Sequence, residues 1–198
     1  EDADQKKCIR LGLAAIKNVG EGAIHSIIDK RPEKGYTDLL DFCLTVDLRQ
    51  VNKRVIESLI YSGAMDVIGD RSQLIGVFES ALEQAQRKVK ERDKGQVSLF
   101  AGEESSQDEL LQAALKEKPV NHSNLRFLKE EKELLGIYLS GHPLEEYEEQ
   151  LKAASHPIDA ITTEMHGEQV QLVGLVTGYR KIITKRNQPM VSAILEDK

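Results

Sequence analysis

Tryptophan is absent from this 198-residue sequence, aromatic residues make up only 5% of it, and there are two cysteines. Cys8 and Cys43 lack CxxC spacing; they read as two small apolar side chains in a reducing compartment rather than as a disulfide. No apolar run reaches the ~18 residues that a membrane span needs. The acidic, polar start EDADQKK is not a signal peptide. A cytoplasmic location with no membrane partner is therefore expected. An excess of basic charge is also missing. A net charge of -6 excludes a uniformly basic nucleic-acid coat but leaves room for local basic surfaces. The five histidines (25, 122, 142, 156, 166) show no ligand spacing, so no metal site is expected. His142, in the SGHPL turn, reads as structural.

What is present suits a soluble chain with a core, at 40% hydrophobic and 30% charged residues. The length allows one large domain or two small ones. The chain does not begin with Met and ends on LEDK in mid-pattern, which reads as a fragment of a longer protein. The first 65 residues read as short helices joined by tight turns. Asp70, with Gln73 three residues later, makes a capping box for a long helix. Its apolar stripe is Leu74, Ile75, Phe78, Ala81, Leu82, Ala85 and Val89, and Gly95 is the expected stop. Residues 101–124 lack a sustained period and read as a linker. A further helix presents Phe127, Leu128, Leu134, Leu135 and Tyr138, and Pro143 is placed to start another, LEEYEEQLKAA.

From Gln169 the pattern changes to alternation. QVQLVGLVTGY (169–179) reads as a strand, KRNQ as a turn and MVSAILE as a second strand, with Gly174 and Gly178 marking bends or bulges. The expected fold class is mainly α: a helical domain, a helical connector, then a truncated β hairpin.

Three motifs carry chemistry. IKNVGEGAIHSII (16–28) resembles a helix-hairpin-helix: a tight turn holding Gly20 and Gly22, then a helix with unpaired N–H donors at its start. Glycines let a phosphate approach the backbone, and Lys17 adds positive charge. Asn18, where a glycine is common, tolerates a left-handed turn; Ile24, where a small alanine is common, and the acidic Glu21 beside the phosphate position depart from the pattern. Lys17, Asn18, Val19, Gly20 and Gly22 are the candidate contacts, and such a grip on backbone reads no sequence. A plain packing unit whose glycines permit a close crossing fits the same residues. VNKRVIESLIYSGAMDVIG (51–69) has the same outline, with a turn at Gly63; Lys53 and Arg54 at its helix start are either DNA contacts or a solvated pair.

The third motif is GQVSLFAG (95–102), an apolar pair between a charged helix end and an acidic stretch. Gln96, Val97, Ser98, Leu99 and Phe100 resemble the QxxLF peptides that bacterial proteins insert into the sliding clamp. Otherwise Leu99 and Phe100 tuck back onto their own helices.

In one order the chain carries IRLGLAAIKNVGEGA, DLLDFCLTVDLRQVNKRVIESLIYSGAMD, GQVSLF, LLGIYLSGHPLEEY and LVGLVTGYRKIITKRNQPMVSAILED. That series resembles the alpha subunits of bacterial DNA polymerase III, the C-family replicative polymerases. The resemblance implies residues 1–95 as a tandem helix-hairpin-helix DNA-binding domain and 96–124 as clamp-binding motif and linker. It further implies 125–155 as a helical connector and 156–198 as the start of an OB-fold domain. Partners so implied are duplex DNA, single-stranded DNA through the OB domain, the sliding clamp and other replicase subunits. Tyr179 would stack, and Arg180, Lys181, Lys185 and Arg186 would line an OB contact hairpin; a basic solvated hairpin is the alternative. The parent would be a DNA-directed DNA polymerase, a nucleotidyltransferase using Mg, with its catalytic aspartates upstream. This fragment would be noncatalytic and without a cofactor of its own. A hairpin module of a repair or ligase protein and a purely structural helical scaffold are the competing readings.

Overall fold

Three short polar side chains set helix starts in the first part of the chain, as N-capping predicts. Asp38 Oδ1 accepts the Asp41 N–H at 2.9 Å, ahead of the helix Leu39–Thr45. Asn52 Oδ1 accepts the Val55 N–H at 3.1 Å, ahead of the helix Lys53–Tyr61. Asp70 Oδ1 accepts the N–H groups of Ser72 and Gln73 at 2.8 and 3.3 Å, ahead of the helix Arg71–Asp93. The structure, a computed structural model, describes residues 9–93 and 124–198. The helices are α1 (Glu21–Asp29), α2 (Leu39–Thr45), α3 (Lys53–Tyr61), α4 (Arg71–Asp93), α5 (Asn124–Leu135) and α6 (Glu148–Lys152). Two antiparallel strands follow, β1 (Leu175–Ile183) and β2 (Pro189–Glu196). The described structure divides into two units between Tyr138 and Leu139.

The core of the first unit is built where α2, α3 and α4 meet. Leu39, Cys43, Val51, Ile56, Ile60 and Leu74 are fully enclosed. Ala81 and Ala85 are enclosed as well, and their small side chains let α4 lie close to its neighbours. The α4 stripe read from the sequence is buried at Leu74, Phe78, Ala81, Leu82 and Ala85, while Ile75 is half-buried and Val89 exposed. The stripe fades as the helix leaves the core. Tyr36 packs edge-on against Phe42 with ring centroids 4.9 Å apart. α5 closes the unit with Phe127 and Leu134, and its C-terminal Gly136 turns back at φ +80°. The division between the two units falls within the expected 125–155 connector. Phe127, Leu128 and Leu134 are buried in the first unit, and the chain from Leu139 belongs to the second.

In the second unit, Pro143 opens a 3-10 turn, Pro143–Tyr147, before the short α6, where the sequence pointed to one longer helix. His142 Nδ1 accepts the Leu144 N–H at 3.2 Å, so the histidine caps that turn. β1 begins at Leu175 and not at Gln169, because the preceding backbone bonds elsewhere: the Gln171 carbonyl accepts the Ser155 N–H at 2.9 Å. The Gln171 N–H goes to Ser155 Oγ at 2.8 Å. The pairing register slips between Val176 and Gly178, a bulge at one of the two expected glycines. A Cβ on Gly174 would lie 3.0 Å from the Glu196 carbonyl oxygen, so the strands close on a bare backbone there.

Cys43 yields a direct test of core integrity. Burial pushes its thiol up to about 12 from 9.0, with the Asp38 charge adding to the rise. The thiolate is the nucleophile, so alkylation at pH 8 should leave Cys43 unmodified in the folded chain and label it in denaturant. The unfolded thiol ionises first, so its contribution to stability is complete below pH 9 and falls as pH climbs from 9 toward 12. Mass spectrometry after iodoacetamide treatment, and melting curves across that range, check both.

Candidate nucleic-acid interface

The first hairpin is built on one residue in a left-handed conformation. Asn18 sits at φ +70°, and its Nδ2 donates to Ser58 Oγ of α3 at 3.1 Å. Its neighbour Val19 is buried and pins the turn to the core. A 3-10 turn, Leu13–Ala15, precedes the hairpin and α1 follows it, with Gly20 as the extended N-cap. The Lys17 N–H donates to the Leu134 carbonyl at 3.0 Å, and the Val19 N–H to the Ile16 carbonyl at 3.2 Å. The first intrahelical bond of α1 runs from the Ile24 N–H to the Gly20 carbonyl at 3.1 Å. The N–H groups of the first turn, Glu21 to Ala23, therefore point out of the helix start with no intrahelical acceptor.

The two glycines differ. A Cβ on Gly20 would meet nothing within 4 Å, so this side of the turn is open to solvent. A Cβ on Gly22 would run into the Gln50 side chain. Where Gly22 is expected to leave room for a phosphate, the end of the exposed Gln50 side chain lies beside it. The turn carrying Gln50 runs beside α1, since the Asp47 N–H donates to Ser26 Oγ at 2.7 Å. The second wall beside the hairpin is therefore this stretch, Asp47 to Asn52, with Arg49 exposed on it.

The second hairpin differs from the first. Gly63 has φ +78°, as a turn glycine should, but the Arg71 guanidinium covers it. Arg71 is held by both Asp66 oxygens at 2.8 Å and by Glu131 Oε1 at 3.2 Å. Bidentate pairing of this kind fixes a guanidinium firmly. The Gly63 turn is closed to a phosphate. Lys53 is exposed as expected but is already engaged, with Nζ 2.7 Å from Glu79 Oε1 and over the Phe78 ring. Its ammonium is favoured first by the hydrogen bond to Glu79, and the Glu57 and Glu83 charges add to this. Three carboxylates around one ammonium make that spot unwelcoming to an anion. Arg54 is exposed.

The hairpin of the second unit separates the residues grouped by the sequence. Across the strands Tyr179 pairs with Ala193 and Lys181 with Val191, so Tyr179 and Lys181 share one face. Arg180 pairs with Ser192 on the opposite face. Tyr179 is 70% exposed, enough to stack on a flat ligand. Lys185 and Arg186 occupy the turn, which Thr184 ties by accepting the Gln188 N–H on Oγ1 at 3.1 Å, with Asn187 at φ +59°. Residues 96–100 lie outside the described residues. Among the described residues, no group of three or more His, Cys, Asp or Glu is placed to hold a metal ion, and no helix is long and apolar enough to cross a membrane.

A left-handed residue between a short helical turn and an uncapped helix, braced from α3, defines a helix-hairpin-helix. Residues 1–74 match the family model described as "Helix-hairpin-helix motif". The chain aligns over its whole length with the DNA polymerase III subunit alpha of Vibrio cholerae, at 34% identity over 200 residues and 17% of that protein. The Escherichia coli K12 subunit is 35% identical over 196 residues, covering 94% of this chain and 16% of the relative. The Deinococcus radiodurans subunit is 36% identical over 200 residues, covering 96% and 15%. The chain belongs to the family of bacterial DNA polymerase III alpha subunits, of which it spans one segment.

Proposed function

We propose that this segment holds duplex DNA by its backbone, without reading sequence, while a replicative polymerase copies the template. The observation that carries the reading is the hairpin at 17–20. An open Gly20, a left-handed Asn18 and the outward N–H groups of α1 together offer a phosphate several donors, with no side chain over Gly20. Lys17 and the exposed Arg49 supply charge nearby. The helix-hairpin-helix match and the polymerase relatives support the same assignment.

The finer reading has three further parts. Residues 96–100 are the ligand for the sliding clamp. The exposed Tyr179 face and the basic turn at Lys185 and Arg186 meet single-stranded DNA, as the opening hairpin of an OB-fold. Nucleotide transfer, with Mg, belongs to other parts of the polymerase, and further replicase subunits are partners of the whole protein in the bacterial cytoplasm.

Fluorescence anisotropy with three unrelated duplexes tests the duplex reading. The affinities should agree with one another and fall together as salt rises. A log–log slope of about -2 to -3 is expected for two or three phosphates. Different affinities for the three duplexes, or no salt dependence, would contradict it.

A further inference from the structure

α5 meets the hairpin through a backbone hydrogen bond and the turn behind it through a buried charge. The Leu134 carbonyl, among the last of α5 and so without an intrahelical donor, accepts the Lys17 N–H at 3.0 Å. That bond braces the hairpin from one side, and the Asn18–Ser58 bond braces it toward α3. Glu131 stands one helical turn earlier on α5. It is fully buried and meets Arg71 Nη1 at 3.2 Å, while the rest of that guanidinium is held by Asp66. At its start α5 is tied by Arg126 Nη2, which donates to Tyr61 Oη at 2.8 Å. A buried carboxylate is tolerated only with such a partner, so the Glu131–Arg71 pair fixes where α5 sits.

We propose that Glu131 is a positioning residue for the DNA-binding hairpin: through Arg71 it seats α5, and α5 holds the Lys17 turn in its phosphate-receiving shape. This rests on the duplex reading above. Its effect on the hairpin passes along three residues of helix to the Leu134 carbonyl. Removing its charge loosens α5 and frees the Lys17 amide. Phe127, Leu128 and Leu134 still hold the helix to its unit by their apolar burial. The hairpin then samples more shapes and binds a phosphate less well, although no group at the DNA surface has changed.

The experiment is Glu131→Gln in the whole chain, read by amide hydrogen exchange and by duplex anisotropy. Lys17 amide exchange should speed up by about tenfold, with Ile56 and Ile60 in α3 unaffected. The duplex Kd should rise about fivefold. The salt slope should not move, because no phosphate-contacting charge is lost. An unchanged Lys17 amide overturns the proposal, as does faster exchange there with unaltered affinity. If Glu131→Gln also strips protection from Ile56 and Ile60, Arg126→Gln, which loosens α5 at its exposed start, takes its place. The same pair of changes is then expected at smaller size, and a still Lys17 amide overturns the proposal. A parent chain that binds no duplex removes the duplex reading alone; the Lys17 exchange rate then decides whether Glu131 holds the turn.

Discussion

Replacing Leu99 and Phe100 together by alanine is expected to abolish binding to the bacterial sliding clamp and to leave the melting temperature unchanged. Burying each of these side chains in an apolar pocket contributes about 1.5–3 kcal/mol. Losing both removes some 3–6 kcal/mol, a factor of ~10² to 10⁴. A five-residue ligand starts at roughly micromolar affinity, so the remainder falls below detection. Gln96→Ala should cost less, about 0.5–1.5 kcal/mol, the net worth of a neutral hydrogen bond. Calorimetric titration against purified clamp, with a thermal melt of each variant, measures both quantities. If the pair instead belonged to the core, the double variant would melt many degrees lower, since each 1 kcal/mol is worth ~2–4 °C at this chain length. That outcome would remove the clamp reading.

The first hairpin was legible because its cues are local. Gly20 at a helix start, Asn18 in the turn and the apolar Ile16 and Ile27 around them make one pattern within a dozen residues, and the structure places these four as that pattern requires, while Val19, read as a candidate contact, is buried in the core. The long α4 was legible for the same reason, with Asp70 as its cap. The turn at Gly63 was legible too, but not the Arg71 side chain that lies over it. Nothing near Gly63 in sequence announces that Glu131, 60 residues from Arg71 along the chain, helps hold the guanidinium there. The wall that does stand beside the hairpin had a usable signal. Asn52 precedes Val55, Ile56 and Leu59 as an N-cap precedes an apolar stripe, which ends the turn at 52 and puts Gln50 inside it. The tie from Leu134 to Lys17 is between backbone groups, and side-chain patterns carry no trace of it. Lys53 looked available because its sequence neighbours are Asn52 and Arg54; its partner Glu79 comes from α4. Charge at a candidate contact is decided by every element packed around it.

The duplex-holding role turns most directly on Gly20. Its φ is -83°, which any residue adopts, and a Cβ there meets nothing, so Gly20→Val should fold like the parent. Its branched side chain would stand where a phosphate approaches the α1 donors. Charge-assisted hydrogen bonds of that kind are worth about 1.5–3 kcal/mol. Duplex affinity is therefore expected to fall by ~10- to 100-fold, with an unchanged circular dichroism spectrum and a melt lowered by only a few degrees, since valine is a poorer N-cap than glycine. Gly22→Val is the control: its side chain pushes aside the exposed Gln50 and should weaken binding less. Anisotropy titration of Gly20→Val against the parent, at one fixed salt concentration, is the measurement. The predicted result is a loss of at least about tenfold. A folded Gly20→Val chain that binds duplex as tightly as the parent would contradict the placement of DNA on this hairpin.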